Sequence, residues 1–212
     1  MNSKEIRGIY NVTFNDKKST PIKTDLEIIE DAVIDYVINY VKGYHSISRD
    51  RGYGAEHIKL HLEPNSKGQI TLEELLNLGN SIREYLKIFK EPFIEENTQA
   101  KIFEWENNEN VRFRAVVDKC ENKPVRQLHR DLNSNKSRDY ATSIADRIIT
   151  FYSDRNLNQQ MEFKNPKVTQ YYIAQKSQDK AIERMKQKID EISKRDFKSS
   201  SKDNSKDRGI GR

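Results

Sequence analysis

Cysteine and long apolar runs are scarce in this chain of 212 residues. A single cysteine, Cys120, excludes an internal disulfide framework and a cysteine-rich zinc site, and it fits a reducing compartment. No apolar run approaches the roughly 20 residues that span a bilayer, and residues 1–7 lack the apolar segment of a signal peptide. We therefore expect no membrane partner and a cytoplasmic protein, with delivery into a target cell as the alternative.

Several catalytic fingerprints are also missing from the sequence. It contains no G-x-S-x-G nucleophile elbow, no P-loop, no dinucleotide-binding glycine pattern and no paired-carboxylate motif. These absences disfavour an α/β hydrolase of the usual kind, an NTPase and a dehydrogenase. No cofactor is predicted.

Charge is abundant and unevenly distributed. The net charge is +5, and residues 160–212 hold 14 Lys/Arg and 8 Asp/Glu, so the carboxyl-terminal part is basic and the remainder is close to neutral. A basic tail is compatible with a polyanionic partner, most simply nucleic acid. A solvated, solubilising tail explains the same charge equally well.

The order of hydrophobic periodicities predicts an α+β fold, with helices ahead of a small antiparallel sheet. Residues 1–24 read as a lead-in with a short strand at 9–14. Residues 25–44 show an apolar stripe at helical spacing, and a short helix is expected from Gly54 or Ala55 to about Leu62. Thr71 and Glu74 form a capping-box pattern that predicts a helix to about Phe89.

The second half of the chain changes to a period of two. Residues 101–106 and 111–117 alternate around a polar turn, which predicts an antiparallel hairpin, and residues 148–153 predict a further strand. A polar insertion is predicted at 118–146, with a helical candidate at 139–146. A linker and basic helix follow within 157–197, with the helix at 170–196. The tail at 198–212 is expected to be disordered. The folded domain is expected to span residues 25–156.

Two of the four histidines, His57 and His61, are four residues apart after a glycine pair. On a helix they share one face, and because the imidazole pKa is near neutrality the pair suits proton transfer or metal binding. A metalloprotease helix has a glutamate directly after its first histidine, where this chain has Ile58. No third ligand is evident, so no metal is predicted. A structural contact of one histidine is the alternative.

Arg112 and Arg114 project from one face of a predicted strand. Guanidinium groups suit bidentate phosphate contacts and would stabilise a pentacoordinate phosphorane. Alternating arginines on an exposed sheet face are the plainer explanation.

The last predicted strand also carries polar side chains. Its alternation places Thr150 and Tyr152 on one face, and Ser153 and Arg155 on the other. Hydroxyls and an arginine at a strand end can orient a phosphate.

The segment from Gly52 to Leu62, followed by a long helix, a basic hairpin and the strand 148–153, resembles a phage- and plasmid-borne nuclease family. These are the barnase/colicin-type endoribonucleases, the barnase–EndoU–colicin–RelE-like group. The resemblance covers about residues 50–156 and implies that family's fold. It also implies metal-independent cleavage of tRNA or mRNA, in which the 2′-hydroxyl attacks the adjacent phosphate and leaves a 2′,3′-cyclic phosphate.

The resemblance also implies roles for individual residues. His57 is the first choice for the acid–base residue, and His61 is its partner or an orienting group. Arg112 or Arg114 would hold the phosphate, and Lys59 is a weaker candidate for substrate contact. The positioning groups would be Thr150, Tyr152 and Ser153, with Arg155 as a further substrate contact.

Two other functions fit the sequence. One is a catalytically silent nucleic-acid-binding or interaction module of the same fold. The other is a structural protein associated with DNA or with a mobile element, in which residues 170–196 bind a partner helix. If the protein is a toxin, an antitoxin or immunity protein is expected to cover the face that carries His57 and Arg112.

Overall fold

The computed structural model describes residues 3–24, 27–29, 32–34, 37–46, 51–120 and 145–200. The chain divides into two compact units, Met1–Asn165 and Pro166–Arg212. None of the helices described is long and apolar enough to cross a membrane.

The first unit is an α+β body, and the second is a helix. The elements in chain order are α1 (Ser3–Phe14), β1 (Ser19–Lys23), β2 (Glu27–Ile29), β3 (Ala32–Ile34), β4 (Val37–Val41), β5 (Tyr44–His45), β6 (Gly52–Tyr53), α2 (Ala55–Ile58) with a 3₁₀ turn (Lys59–Leu62), α3 (Leu72–Leu76), α4 (Leu78–Phe89), β7 (Phe93–Ile94), β8 (Lys101–Glu106), β9 (Arg112–Cys120), β10 (Ala145–Ser153) and α5 (Pro166–Ser200).

Six strands form one mixed sheet in the order β1-β4-β10-β9-β8-β7. All neighbours are antiparallel except β4 and β10, which run parallel over two residue pairs. Two short ribbons, β2–β3 and β5–β6, accompany the sheet. The α+β class predicted from the sequence is thus confirmed, although the sheet is mixed rather than antiparallel.

Several local predictions are confirmed. Strands β8 and β9 pair antiparallel, and Phe113, Ala115 and Val117 of β9 are buried on one face as the alternation requires. Thr71 and Glu74 form the capping box at the start of α3. The predicted helix reaches Phe89, although it is interrupted at Asn77 and forms two helices.

The predicted helix over residues 25–44 is wrong. Its described residues lie in β2, β3, β4 and β5, except Lys42 and Gly43 between the last two strands. Strand β4 alternates in burial, with Ile38 and Tyr40 inside the core. β-Branched valines and isoleucines are frequent in this segment, and these residues favour strands over helices. This preference outweighed the helical spacing of the apolar residues.

The predicted lead-in over residues 1–24 is also wrong, because this segment belongs to the packed body. Residues 9–14 lie in α1 rather than in a strand, and Ile9 and Val12 are buried at helical spacing. Ile22 of β1 is fully buried as well.

The boundaries of two other predicted segments move. Residues 118–120 and 145–146 are strand rather than insertion, so the helix proposed for 139–146 is wrong at its carboxyl end. Residues 121–144 lie outside the described residues. The predicted basic helix exists and extends from Pro166 to Ser200, so residues 198–200 are helical rather than disordered. Residues 201–212 lie outside the description.

Candidate functional site: a row of three histidines and a tyrosine

Four aromatic rings lie in a continuous row, which we call the histidine row: His45, His57, His61 and Tyr152. The rings of His45 and His57 stack, with centroids 5.3 Å apart and planes at 4°. His61 meets His57 edge-on at 5.5 Å, and Tyr152 follows at 5.8 Å from His61. The row therefore joins side chains from β5, α2, the 3₁₀ turn and β10.

The glycine pair before His57 makes this arrangement possible. Gly52 pairs with His45 in the β5–β6 ribbon, and a Cβ at Gly52 would lie 2.8 Å from His45 Cδ2. Gly54 has φ +71°, a conformation that favours glycine, and its N–H donates to the Ile149 carbonyl of β10. Both positions thus bring the start of α2 against its neighbours.

Backbone contacts fix the protons on two of the imidazoles. His45 Nδ1 lies 2.8 Å from the Ser46 carbonyl oxygen, and His61 Nδ1 lies 2.9 Å from that of Lys67. A carbonyl oxygen only accepts, so Nδ1 carries the proton in both rings. In their neutral forms, both histidines therefore keep Nε2 as a proton acceptor.

Two ring nitrogens in the stacked pair are buried without a hydrogen-bond partner among the described residues: His45 Nε2 and His57 Nδ1. Leaving a buried polar atom unpaired costs about 1–3 kcal/mol, so such atoms are few in folded proteins and call for an explanation. A ligand or substrate hydroxyl that donates to these nitrogens would supply one.

The surroundings favour the neutral forms of His57 and His61. Burial lowers the pKa of His57, and the neighbouring His61 and His45 lower it further. Burial also lowers the pKa of His61, against the opposing effect of the Lys67 carbonyl. Both rings are therefore poised at neutral pH as proton acceptors rather than as cations.

The far end of the row is anchored by Arg114. Its Nη1 donates to the Tyr152 hydroxyl at 3.2 Å, its Nε donates to Glu104 Oε1 at 2.7 Å, and its Nη2 donates to the Glu162 carbonyl at 2.6 Å. Glu104 is fully buried, and its second oxygen accepts the backbone N–H groups of Lys164 and Asn165. The guanidinium is therefore held in one orientation beside the phenol.

Arg112 has a similar set of partners but does not contact the row. Its Nε donates to Glu106 at 2.9 Å, its Nη1 donates to the Met161 carbonyl at 2.7 Å, and its guanidinium lies 4.5 Å from the Phe163 ring centroid. Both arginines predicted to hold a phosphate are thus paired with carboxylates, which a phosphate would have to displace or share.

Three further predicted site residues lie within the fold, and the side chains of two of them have partners there. Ser153 is buried, and its hydroxyl donates to the Gln69 carbonyl. Arg155 forms a bidentate pair with Glu74, at 2.8 and 2.6 Å, which ties the segment after β10 to α3. The hydroxyl of Thr150 is buried without a partner among the described residues.

Lys59 is the other predicted substrate contact. Its ammonium pairs with Glu56 one turn earlier, at 2.8 Å. Of the nine site residues predicted from the sequence, His57, His61, Tyr152 and Arg114 form one connected group. The structure adds His45, which is not among the predicted site residues because nothing in the sequence spacing reveals the β5–β6 ribbon that returns it to α2.

Arg147 was not predicted as a site residue either. Its guanidinium lies 4.4 Å from the ring centroid of Tyr53, in the ribbon that also carries His45. Its Nε is buried without a partner among the residues described. Arg147 is therefore a further cation beside the β5–β6 ribbon.

Within the described ranges, no group of three or more His, Cys, Asp or Glu side chains is arranged to hold a metal ion. Three imidazoles meet, but two of them are stacked face to face.

The comparisons with known proteins return nothing: no family model, no curated protein and no solved structure matches the chain.

Proposed function

We propose that this protein is a metal-independent endoribonuclease, toxin-like, that cleaves RNA by attack of the 2′-hydroxyl and leaves a 2′,3′-cyclic phosphate. The observation that carries the proposal is the histidine row. It combines neutral imidazoles, buried unpaired ring nitrogens and a phenol beside a fixed guanidinium.

The reaction needs a base, an acid and a group that stabilises the charge on the phosphorane. His57, kept neutral by its surroundings, takes the proton of the 2′-hydroxyl while the 2′-oxygen attacks phosphorus. Tyr152 gives its proton to the departing 5′-oxygen, and the Arg114 contact stabilises the resulting phenolate. His61 lies between them and positions both groups.

The charge on the phosphorane requires a cation, and the arginines differ in their availability. Arg112 and Arg114 already have carboxylate partners, so sharing them with a phosphate would weaken a buried ion pair. Arg147, which stacks on Tyr53 and forms no ion pair among the described residues, is the most available of the three to accept a phosphate.

The finer fold assignment, a barnase/EndoU/RelE-like arrangement, belongs to the same proposal. Short helix, long helix and antiparallel strands follow one another between residues 55 and 153, which supports it. The parallel pairing of β4 with β10 and the strands before α2 are features that the expectation did not include. RNA is the proposed partner, with an antitoxin or immunity protein over the row if the enzyme acts as a toxin.

A silent binding module of the same fold is the second candidate. The paired arginines favour it, because a phosphate clamp that is already neutralised fits a structural face. In that case RNA binds without being cut.

Cleavage of total tRNA and of a structured mRNA in EDTA separates these functions. The enzyme is expected to leave cyclic phosphate ends, and His57→Ala is expected to abolish the cutting. Folded wild-type protein that binds RNA without cutting it would support the silent module, and cutting that EDTA abolishes would contradict the metal-independent mechanism.

A further inference from the structure

Helix α5 carries large apolar side chains that are exposed to solvent. Ile182, Met185, Ile189 and Ile192 are exposed by 50, 66, 62 and 57%, and their spacing of three, four and three residues places them on one side of the helix. We call these four residues the α5 stripe. The remaining described side chains from 181 to 191 are exposed and almost all polar.

An exposed stripe of this kind is unfavourable for an isolated helix. Most helical stability in proteins comes from packing an apolar face rather than from intrinsic propensity, and contiguous exposed apolar patches mark interaction sites. The spacing is that of a and d positions in a heptad, the pattern with which one helix packs against another. The stripe therefore suits a helical partner rather than a flat surface.

The charges beside the α5 stripe indicate which charge the partner helix should carry. Between Ile182 and Ile192 the flanking e and g positions are Lys186 and Lys188, one on each side. The acidic residues in this span, Glu183, Asp190 and Glu191, occupy b and c positions, away from the seam. Residues at e and g set partner choice through interhelical ion pairs, so the seam favours a helix with carboxylates at its own flanking positions.

A second copy of this chain fits less well. It would leave the lysines of both helices without opposite charges along the seam. We propose that the α5 stripe, with Lys186 and Lys188, is the docking surface for an acidic amphipathic helix of a partner protein. This inference is independent of any catalytic activity of the histidine row.

The test uses the full chain and two synthetic helical peptides. Both carry leucine at a and d over about four heptads; one has glutamate at every e and g position, and the other has lysine there. Titration followed by fluorescence anisotropy is expected to give at least tenfold tighter binding of the acidic peptide at low salt, with the difference shrinking at high salt.

Variants separate the stripe from the charges. Lys186→Glu with Lys188→Glu is expected to reverse the peptide preference, and Ile189→Gln is expected to weaken both peptides by tenfold or more. Gln187→Glu, on the opposite side of α5, is the matched control and should change little. Circular dichroism verifies that each variant remains helical.

Two results would overturn the proposal. The first is that the acidic and basic peptides bind equally, or that neither binds. The second is that the free chain sediments as a dimer that Ile189→Gln dissociates, because a second copy would then be the occupant.

Discussion

Two regions of the first unit meet at Tyr152 and differ in how completely their polar groups are paired. On β8 and β9, Arg112 pairs with Glu106 and Arg114 pairs with Glu104. In the histidine row, by contrast, two buried ring nitrogens have no partner among the described residues.

The contrast indicates what each region contributes. Paired charges in a buried setting fix geometry, and removing one member is costly because the other is left alone. Buried unpaired polar atoms cost stability, so their presence in the histidine row calls for an explanation, such as a ligand or a reaction that uses them. The paired arginines therefore mainly support the structure, with Arg114 also contacting the Tyr152 hydroxyl, and the histidines provide the candidate chemistry.

The largest expected effect comes from His57. Replacing it with Gln removes the proposed base and should lower RNA cleavage by about 100- to 10,000-fold, the usual contribution of general acid–base catalysis. The free energy of unfolding should stay within about 1 kcal/mol of wild type, because no hydrogen bond to its buried Nδ1 is lost. Cleavage assays and urea unfolding measure the two quantities. Full cleavage activity of His57→Gln would show that the histidine row does not carry the proposed chemistry.

Arg114→Met tests the opposite region. It leaves the fully buried Glu104 without its guanidinium, so we expect a loss of about 3–5 kcal/mol in the free energy of unfolding. Combining it with Glu104→Gln should recover part of that loss, because the amide oxygen still accepts the N–H groups of Lys164 and Asn165. If Arg114→Met alone is as stable as wild type, the Arg114–Glu104 pair has no structural role.

Tyr152 tests the point where the regions meet. Tyr152→Phe removes the proposed proton donor and the acceptor of the Arg114 contact, and should lower cleavage by tenfold or more with at most about 1 kcal/mol lost in stability. Tyr10→Phe, the same change at an exposed position of α1, is the control and should leave cleavage unaltered. Equal effects of the two substitutions would place Tyr152 outside the chemistry.

The smallest effect is on the pH dependence of stability. Because the folded-state pKa values of His57 and His61 are lowered, the unfolded chain binds more protons between those values and about 6.5. Stability should therefore rise with pH in that window and level off above it. Unfolding measured from pH 5 to 8 should show this slope, and His57→Gln with His61→Gln should flatten it. A stability that falls as pH rises would have the wrong sign.

Sequence patterns correctly predicted the secondary structure that depends on interactions between residues close in sequence. The capping box at Thr71, the β8–β9 hairpin and the short helix of His57 all depend on residues close in sequence. The segment at 25–44 was misassigned because its apolar spacing suited a helix while its β-branched residues joined a sheet through distant partners on β1 and β10.

The candidate site was likewise predictable only where its residues are close in sequence. His57 and His61 share a turn of helix, so their proximity followed from the sequence. His45 and the carboxylate partners of the arginines come from other elements, and only the ribbon and the strand register bring them near. The pairing of Arg114 with Glu104 joins directly opposed residues of β8 and β9, which the correctly predicted hairpin places together.

The most direct test of the account is the titration of the histidine rings by ¹⁵N NMR, because its central claim is that the row holds neutral proton acceptors. We expect His57 and His61 to titrate below about 6.5 and the neutral His61 ring to carry its proton on Nδ1. A His57 that titrates above about 7 would be mostly a cation at neutral pH and would contradict its assignment as the base.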